Sequence, residues 1–196
     1  MAELKPIALV GLMGAGKSTV GRLVAARLRC PFWDMDDVIG QLTQKTIPQI
    51  FADEGEPAFR ALEHALLRAL LTGVPAEADI PDAWRAALEG FARTNALPAM
   101  PAVIATGGGI VERADNRRLL AQHARVVWLD APPEALAARV GRDPGRPLLA
   151  GVDPLARMRE LAARRTRWYA QIADIRIRAD EAPPEAIAEA IVEELR

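Results

Sequence analysis

Cysteine, histidine and lysine are all scarce in this chain. Cys30 stands alone, so no intrachain disulfide can form. His64 and His123 are the only histidines, and no Cys/His cluster has zinc spacing. No apolar run approaches the ~20 residues that a membrane helix needs. The opening residues, with Glu3 and Lys5 just ahead of a short apolar run, do not read as a secretory leader, so the expected location is the cytoplasm. Neither charge is in excess: 25 Lys and Arg stand against 26 Asp and Glu, a formal net charge of −1. That balance gives no footprint for nucleic acid, and no nucleic-acid or membrane partner is expected. Of the basic residues only Lys5, Lys17 and Lys45 are lysines; the rest are arginines. A chain so biased to arginine keeps a lysine where a slim point charge fits better than a planar fork, and this singles out Lys17.

What is present begins with a core. The 196 residues are 51% hydrophobic and 26% charged, enough to form one domain, 1–196, with an insertion. Ile7-Ala8-Leu9-Val10 is a short apolar run followed by Gly11-Leu-Met-Gly14-Ala15-Gly16-Lys17-Ser18-Thr19 and then by a helical pattern from Val20. Strand, glycine loop and helix fit the phosphate-loop pattern G-x-x-x-x-G-K-[ST] at every fixed position. Glycines let backbone N–H groups turn onto a phosphate, and the helix N-terminus adds partial positive charge. Lys17 can reach the outer phosphates of a nucleotide, and Ser18 can place a hydroxyl on magnesium.

Further along, Phe32–Asp34 reads as a strand, and short helices are expected near 37–45 and 48–51. A clearer helix spans 57–72, with Phe59, Leu62, Leu66 and Leu70 on one face. Residues 73–101 are rich in proline around one helical segment, 82–94, where Trp84, Leu88 and Phe91 share a stripe. Ala102–Ala105 is a strand running into Thr106-Gly107-Gly108-Gly109. A helix near 113–122, a strand at 126–129 and a helix from Pro133 to about 140 follow. A basic, breaker-rich loop comes next, then a helix at 153–170, a strand at 174–178 and a helix at 184–195. Alternating strands and helices predict a five-stranded parallel sheet with helices on both faces. Gly11–Ser18, Asp34–Asp36 and Gly107–Gly109 all follow strands, so they should meet on the rim where such sheets bind ligands.

The residues converging there suggest roles. Asp34 can hold magnesium beside the phosphate loop, and Asp36 points toward a second substrate. Asp36 or Asp37 has an equal alternative use as the cap of the next helix. Arg60 and Glu63, three apart on one helix face, are either a surface pair or an arginine held ready for an anion. Three consecutive glycines at 107–109 suit close approach to a ligand. Arg139 and Arg146 flank the basic loop, and one that closes over ATP can neutralise charge on the transferred phosphoryl group. Arg164, Arg165 and Arg167 lie near a helix end, where cations also serve the dipole.

In this order the pieces resemble shikimate kinase. The resemblance rests on Gly11–Thr19, Phe32-Trp-Asp34-Met-Asp36, Gly55-Glu56 with Phe59-Arg60-x-x-Glu63, Gly107–Gly109, Arg146-Pro147-Leu148-Leu149, and Arg165 four before Tyr169. It spans nearly the whole chain outside 74–101. It implies the three-layer α/β fold of P-loop kinases, with substrate-binding helices at about 36–63 and a mobile lid at about 141–157. It implies transfer of the γ-phosphoryl of ATP to the 3-hydroxyl of shikimate, with one Mg2+, in the pathway to chorismate and the aromatic amino acids. Carried over, Gly14, Ala15, Gly16, Lys17, Ser18 and Thr19 bind ATP, with Arg139 against adenine and Arg146 reaching the phosphates. Ser18 and Asp34 serve the metal. Asp36, Arg60, Gly107, Gly108, Gly109 and Arg165 bind shikimate, and Glu63 positions Arg60. Lys17, Asp36 and Arg146 are the catalytic set, and the enzyme is expected to be a monomer.

Two features depart from the family pattern. Arg167 stands where proline is usual, beside the bulky Trp168. The stretch 74–101 is an insertion of roughly 25 residues. It enters at the end of its strand opposite the glycines, so it is expected away from ATP and packed on the chain's own surface. Two rivals remain at this stage. One is a related kinase acting on another small acid such as gluconate. The other is a nucleotide-binding regulatory module without catalysis, which intact Lys17, Asp34, Asp36 and Arg146 disfavour.

Overall fold

The computed structural model describes residues 5–77, 79–95, 102–140 and 153–196. Its centre is a five-stranded parallel sheet: β1 (Ile7–Val10), β2 (Phe32–Asp34), β3 (Val103–Ala105), β4 (Arg125–Asp130) and β5 (Ile175–Arg178). The spatial order is β2-β3-β1-β4-β5. Every pairing is parallel, with Ile7 opposite both Val103 and Arg125. All four residues of β1 are buried, as befits a strand covered on both faces. β1 is flanked by strands that come later in the chain, which opens a crevice at its C-terminal end where the phosphate loop sits.

The helices are α1 (Lys17–Leu28), α2 (Met35–Thr43), α3 (Ile47–Asp53), α4 (Gly55–Thr72), α5 (Asp82–Thr94), α6 (Ala114–His123), α7 (Pro133–Val140), α8 (Pro154–Ile172) and α9 (Pro184–Glu194). Their caps explain several boundaries. α3 starts in a capping box, Thr46 with Gln49. α8 starts at Asp153, whose carboxylate accepts the Ala156 N–H at 2.9 Å. The expected lid at about 141–157 is therefore divided. Residues 141–152 lie outside the described residues, while 153–157 form the cap and first turn of α8.

Two expectations need correction, and a third gains detail. α2 begins at Met35, not 37, because Asp34 is its cap: the Asp34 carboxylate accepts the Asp36 N–H at 3.1 Å. Neither Asp36 nor Asp37 performs that service. α8 runs to Ile172, so Arg165 lies within the helix rather than in its last turn, and the dipole does not explain it. The third concerns the insertion. Its Trp84 and Leu88 are buried in the chain's own core and Phe91 is half-buried, as expected. However, α5 packs on α2 and α4, the helices that carry Asp36 and Arg60. Phe91 meets Trp33 edge to face, with centroids 5.2 Å apart. α5 lies in the connection from α4 to β3, and its apolar stripe packs on α2 and α4.

Candidate active site

The phosphate loop turns between β1 and α1. Gly16, the cap of α1, has φ +90° and offers no side-chain hydrogen bond, so the first N–H groups of α1 are left for an anion. The Lys17 ammonium donates to the carbonyls of Gly11 and Leu12, each at 2.9 Å, and is thereby folded over its own loop. Arg139 on α7 donates to the Gly14 carbonyl at 3.3 Å and to that of Ala179 at 2.9 Å. It thus ties the loop to the segment after β5.

Met13, Gly14, Gly16, Lys17, Ser18 and Thr19 line a cleft of about 300 Å³ together with Asp34, Asp36, Thr106 and Gly108. Three strand ends therefore meet there, as the topology requires. Ser18 and Asp34, which both line this cleft, carry hard oxygen donors, which is the chemistry magnesium prefers alongside phosphate oxygens. Thr106, at the end of β3, uses its hydroxyl on the Leu9 carbonyl at 3.0 Å and so locks β3 to β1.

The adjoining part of the site is built from glycine, arginine and glutamate. Arg60 donates from Nη1 to Glu63 at 2.8 Å, and from Nε and Nη2 to Glu56 at 3.2 and 3.1 Å. The pair is no surface ion pair, since the Glu63 side chain is 1% exposed. Burial pushes the Glu63 carboxyl above its ordinary pKa; Arg60 opposes this, and the nearby Asp36 charge adds to it. The glycines make this packing possible. A Cβ on Gly107 would fall 2.5 Å from Glu63 Oε1 and 3.6 Å from Asp36 Oδ1. One on Gly109 would fall 2.6 Å from Arg60 Nη1.

The family model of shikimate kinase matches residues 13–75 and 83–196. The chain belongs to the shikimate kinase family. It is 42% identical over 184 residues to a shikimate kinase of Pseudomonas syringae, covering 94% of this chain and 92% of the relative. It is also similar to a solved shikimate kinase from Acinetobacter baumannii in complex with shikimate, with a TM-score of 0.79 and 35% identity over 98% of this chain and 93% of that one. A gluconokinase from Sinorhizobium meliloti shares the fold alone, at 17% identity and a TM-score of 0.50. The shikimate kinase reading is favoured over the gluconate one.

Within this shikimate kinase-family chain the structure brings Lys17, Ser18, Asp34, Asp36 and Gly108 into one cleft, with Arg60, Glu63, Gly107 and Gly109 adjoining. Arg146 lies outside the described residues. Arg165 is buried, 3% exposed, and its Nη1 has no hydrogen-bond partner. Arg167 instead points outward, its guanidinium 4.8 Å from the Trp168 ring, with Arg117 at 5.0 Å from the same ring. Arg167 and Trp168 thus engage each other rather than Arg165.

Sequence reasoning missed Glu112 and Asn116, and placed Tyr169 in a motif without giving it a role. Glu112 accepts from Arg165 Nε at 2.9 Å and from Arg164 at 3.1 Å. Tyr169 is buried, stacks on Trp128 and donates its hydroxyl to the Gly108 carbonyl. Asn116 joins His64 of α4 at 2.6 Å to the Ile110 carbonyl at 3.0 Å, fixing the turn after the glycines. A tyrosine one helical turn from Arg165 was the one available hint of the role of Tyr169.

Proposed function

We propose that this chain transfers the γ-phosphoryl group of ATP to the 3-hydroxyl of shikimate, giving 3-phosphoshikimate and ADP. The observation that carries the reading is convergence. A phosphate loop and an arginine paired with a buried glutamate meet at one set of strand ends, around Asp36 and three glycines, in a chain of the shikimate kinase family.

Phosphoryl transfer asks the protein for position and for charge stabilisation more than for covalent chemistry. In this reading the loop N–H groups and the α1 terminus hold the phosphates. Lys17 exchanges its carbonyl partners for phosphate oxygens. Ser18 and Asp34 would hold Mg2+, which supplies neutralisation of charge between the outer phosphates. Asp36 orients the acceptor hydroxyl and takes its proton. Arg60 and Arg165 grip the carboxylate, as guanidinium matches carboxylate in fork geometry. Arg139 lies beside the base, and Arg146 closes over the phosphates. The reading extends to a cytoplasmic monomer with small-molecule partners, whose size in solution light scattering would measure.

A coupled assay for ADP release with shikimate and Mg·ATP tests the function. Shikimate-dependent turnover is expected, and release no faster than without shikimate would sink the reading. Lys17→Met should abolish turnover while leaving the circular dichroism spectrum unchanged.

A further inference from the structure

We propose that Glu112 is a positioning residue for the acceptor's carboxylate, acting through Arg165. The inference rests on the reading of Arg165 as part of the acceptor grip. Glu112 ends the short 3-10 turn Ile110–Glu112 that follows the glycines. That turn is pinned from several sides. The Glu112 N–H donates to the Gly109 carbonyl at 3.0 Å. Arg117 of α6 donates to the carbonyls of Val111 and Glu112 at 2.6 and 3.1 Å. Asn116 holds the Ile110 carbonyl. The Glu112 carboxylate is therefore presented from a fixed backbone, and its Oε1 takes both Arg165 Nε at 2.9 Å and Arg164 at 3.1 Å.

The consequence lies in which nitrogens remain. All three guanidinium nitrogens of Arg60 are engaged by Glu56 and Glu63. In Arg165, Nε is taken by Glu112, while Nη1 is buried with no hydrogen-bond partner. A buried donor without an acceptor is costly, and an incoming carboxylate relieves that cost. Fixing the plane of the guanidinium through Nε sets the direction in which Nη1 points, and so the register in which a carboxylate docks. Glu56, Glu63 and Glu112 offset the charges of Arg60, Arg164 and Arg165, and Asp36 lies close by, so the cluster has no net positive charge to favour a phosphate dianion.

Steady-state kinetics of the full-length wild type, Glu112→Ala and Glu112→Gln, each with a thermal melt, test the proposal. Glu112→Ala should raise KM for shikimate about tenfold. The KM for ATP and kcat should stay within about twofold. Glu112→Gln retains an oxygen for Arg165 Nε and should recover most of the loss. Three results would each overturn the proposal: an unchanged or lowered shikimate KM in Glu112→Ala, a fall in kcat alone that tracks loss of folded protein, or a glutamine variant as impaired as the alanine one. A wild type inactive on shikimate would overturn the acceptor assignment instead, so the two failures are distinguishable.

Discussion

Gly109 leaves the space that the Arg60 guanidinium fills: a methyl group at 109 would lie 2.6 and 2.7 Å from its two terminal nitrogens. The arginine is the far end of a flexible side chain, so Gly109→Ala should displace it from Glu63 and Glu56 without unfolding the protein. The expected outcome is a melting temperature within a few degrees of wild type and a KM for shikimate raised at least tenfold. The KM for ATP should be nearly unchanged. A wild-type shikimate KM would show that Arg60 does not need this placement.

Tyr169 supports the next glycine. Its hydroxyl donates to the Gly108 carbonyl, and burial pushes its pKa well above that of an ordinary tyrosine, so it stays protonated and a donor at any working pH. Tyr169→Phe keeps the stack on Trp128 and leaves the carbonyl without this donor. Removing one partner of a buried hydrogen bond costs about 1–3 kcal/mol. A urea titration should show a loss of that size, together with a severalfold rise in the shikimate KM. Equal stability of the two proteins would mean that water replaces the hydroxyl.

How much of this was legible follows from sequence distance. The donor side was readable because Gly11 to Thr19 are consecutive, and the chemistry of a phosphate loop lies in one turn and one helix end. Arg60 and Glu63 were readable as a pair because helical spacing places them together. The sheet was readable because its central strands are short apolar runs between helical patterns. Glu112 was not readable, because its partner Arg165 is 53 positions away. The contact exists only once β3, β1 and β4 bring the glycine turn under α8. The cap role of Asp34 was missed because three carboxylates in four residues compete for one position, and propensity alone does not choose among them. The placement of α5 was half legible: its apolar stripe announced burial, but the surface that covers it is set by the fold.

That surface makes the insertion more than an appendage. Trp84 is 5% and Leu88 1% exposed, in a helix lying on α2 and α4. Truncating a buried tryptophan to alanine costs about 3–5 kcal/mol. Trp84→Ala should therefore lower the urea midpoint strongly. Because α2 and α4 carry Asp36 and Arg60, the residual folded enzyme should lose shikimate affinity before ATP affinity. Calorimetric titration with each ligand would read the difference. A chain lacking 74–101 that kept full stability would contradict this packing.

Glu63 separates function from stability, and pH exposes the separation. Its carboxyl is fully buried, and burial is the largest influence on it, so its folded-state pKa lies above the ordinary carboxylate value. For such a group the stabilising contribution is fully present below the unfolded pKa and is lost as pH rises through the folded one. At neutral pH the buried charge is thus a liability that the Arg60 contact only partly offsets. Glu112 has the opposite sign. Its burial acts to raise its pKa, but Arg165 and Arg164 overcome that and hold the carboxyl low, so its contribution is lost as pH falls. Glu63→Gln should accordingly compare better with wild type as pH rises above the ordinary carboxylate range, because only the wild type loses this contribution. The same variant should bind shikimate more weakly, because Arg60 loses its charged partner on the buried side. Denaturant titrations of both proteins at pH 4.5 and pH 8, beside shikimate KM values, measure the two effects separately. A stability difference independent of pH would show that the carboxylate is not destabilised by its burial, whatever happens to KM.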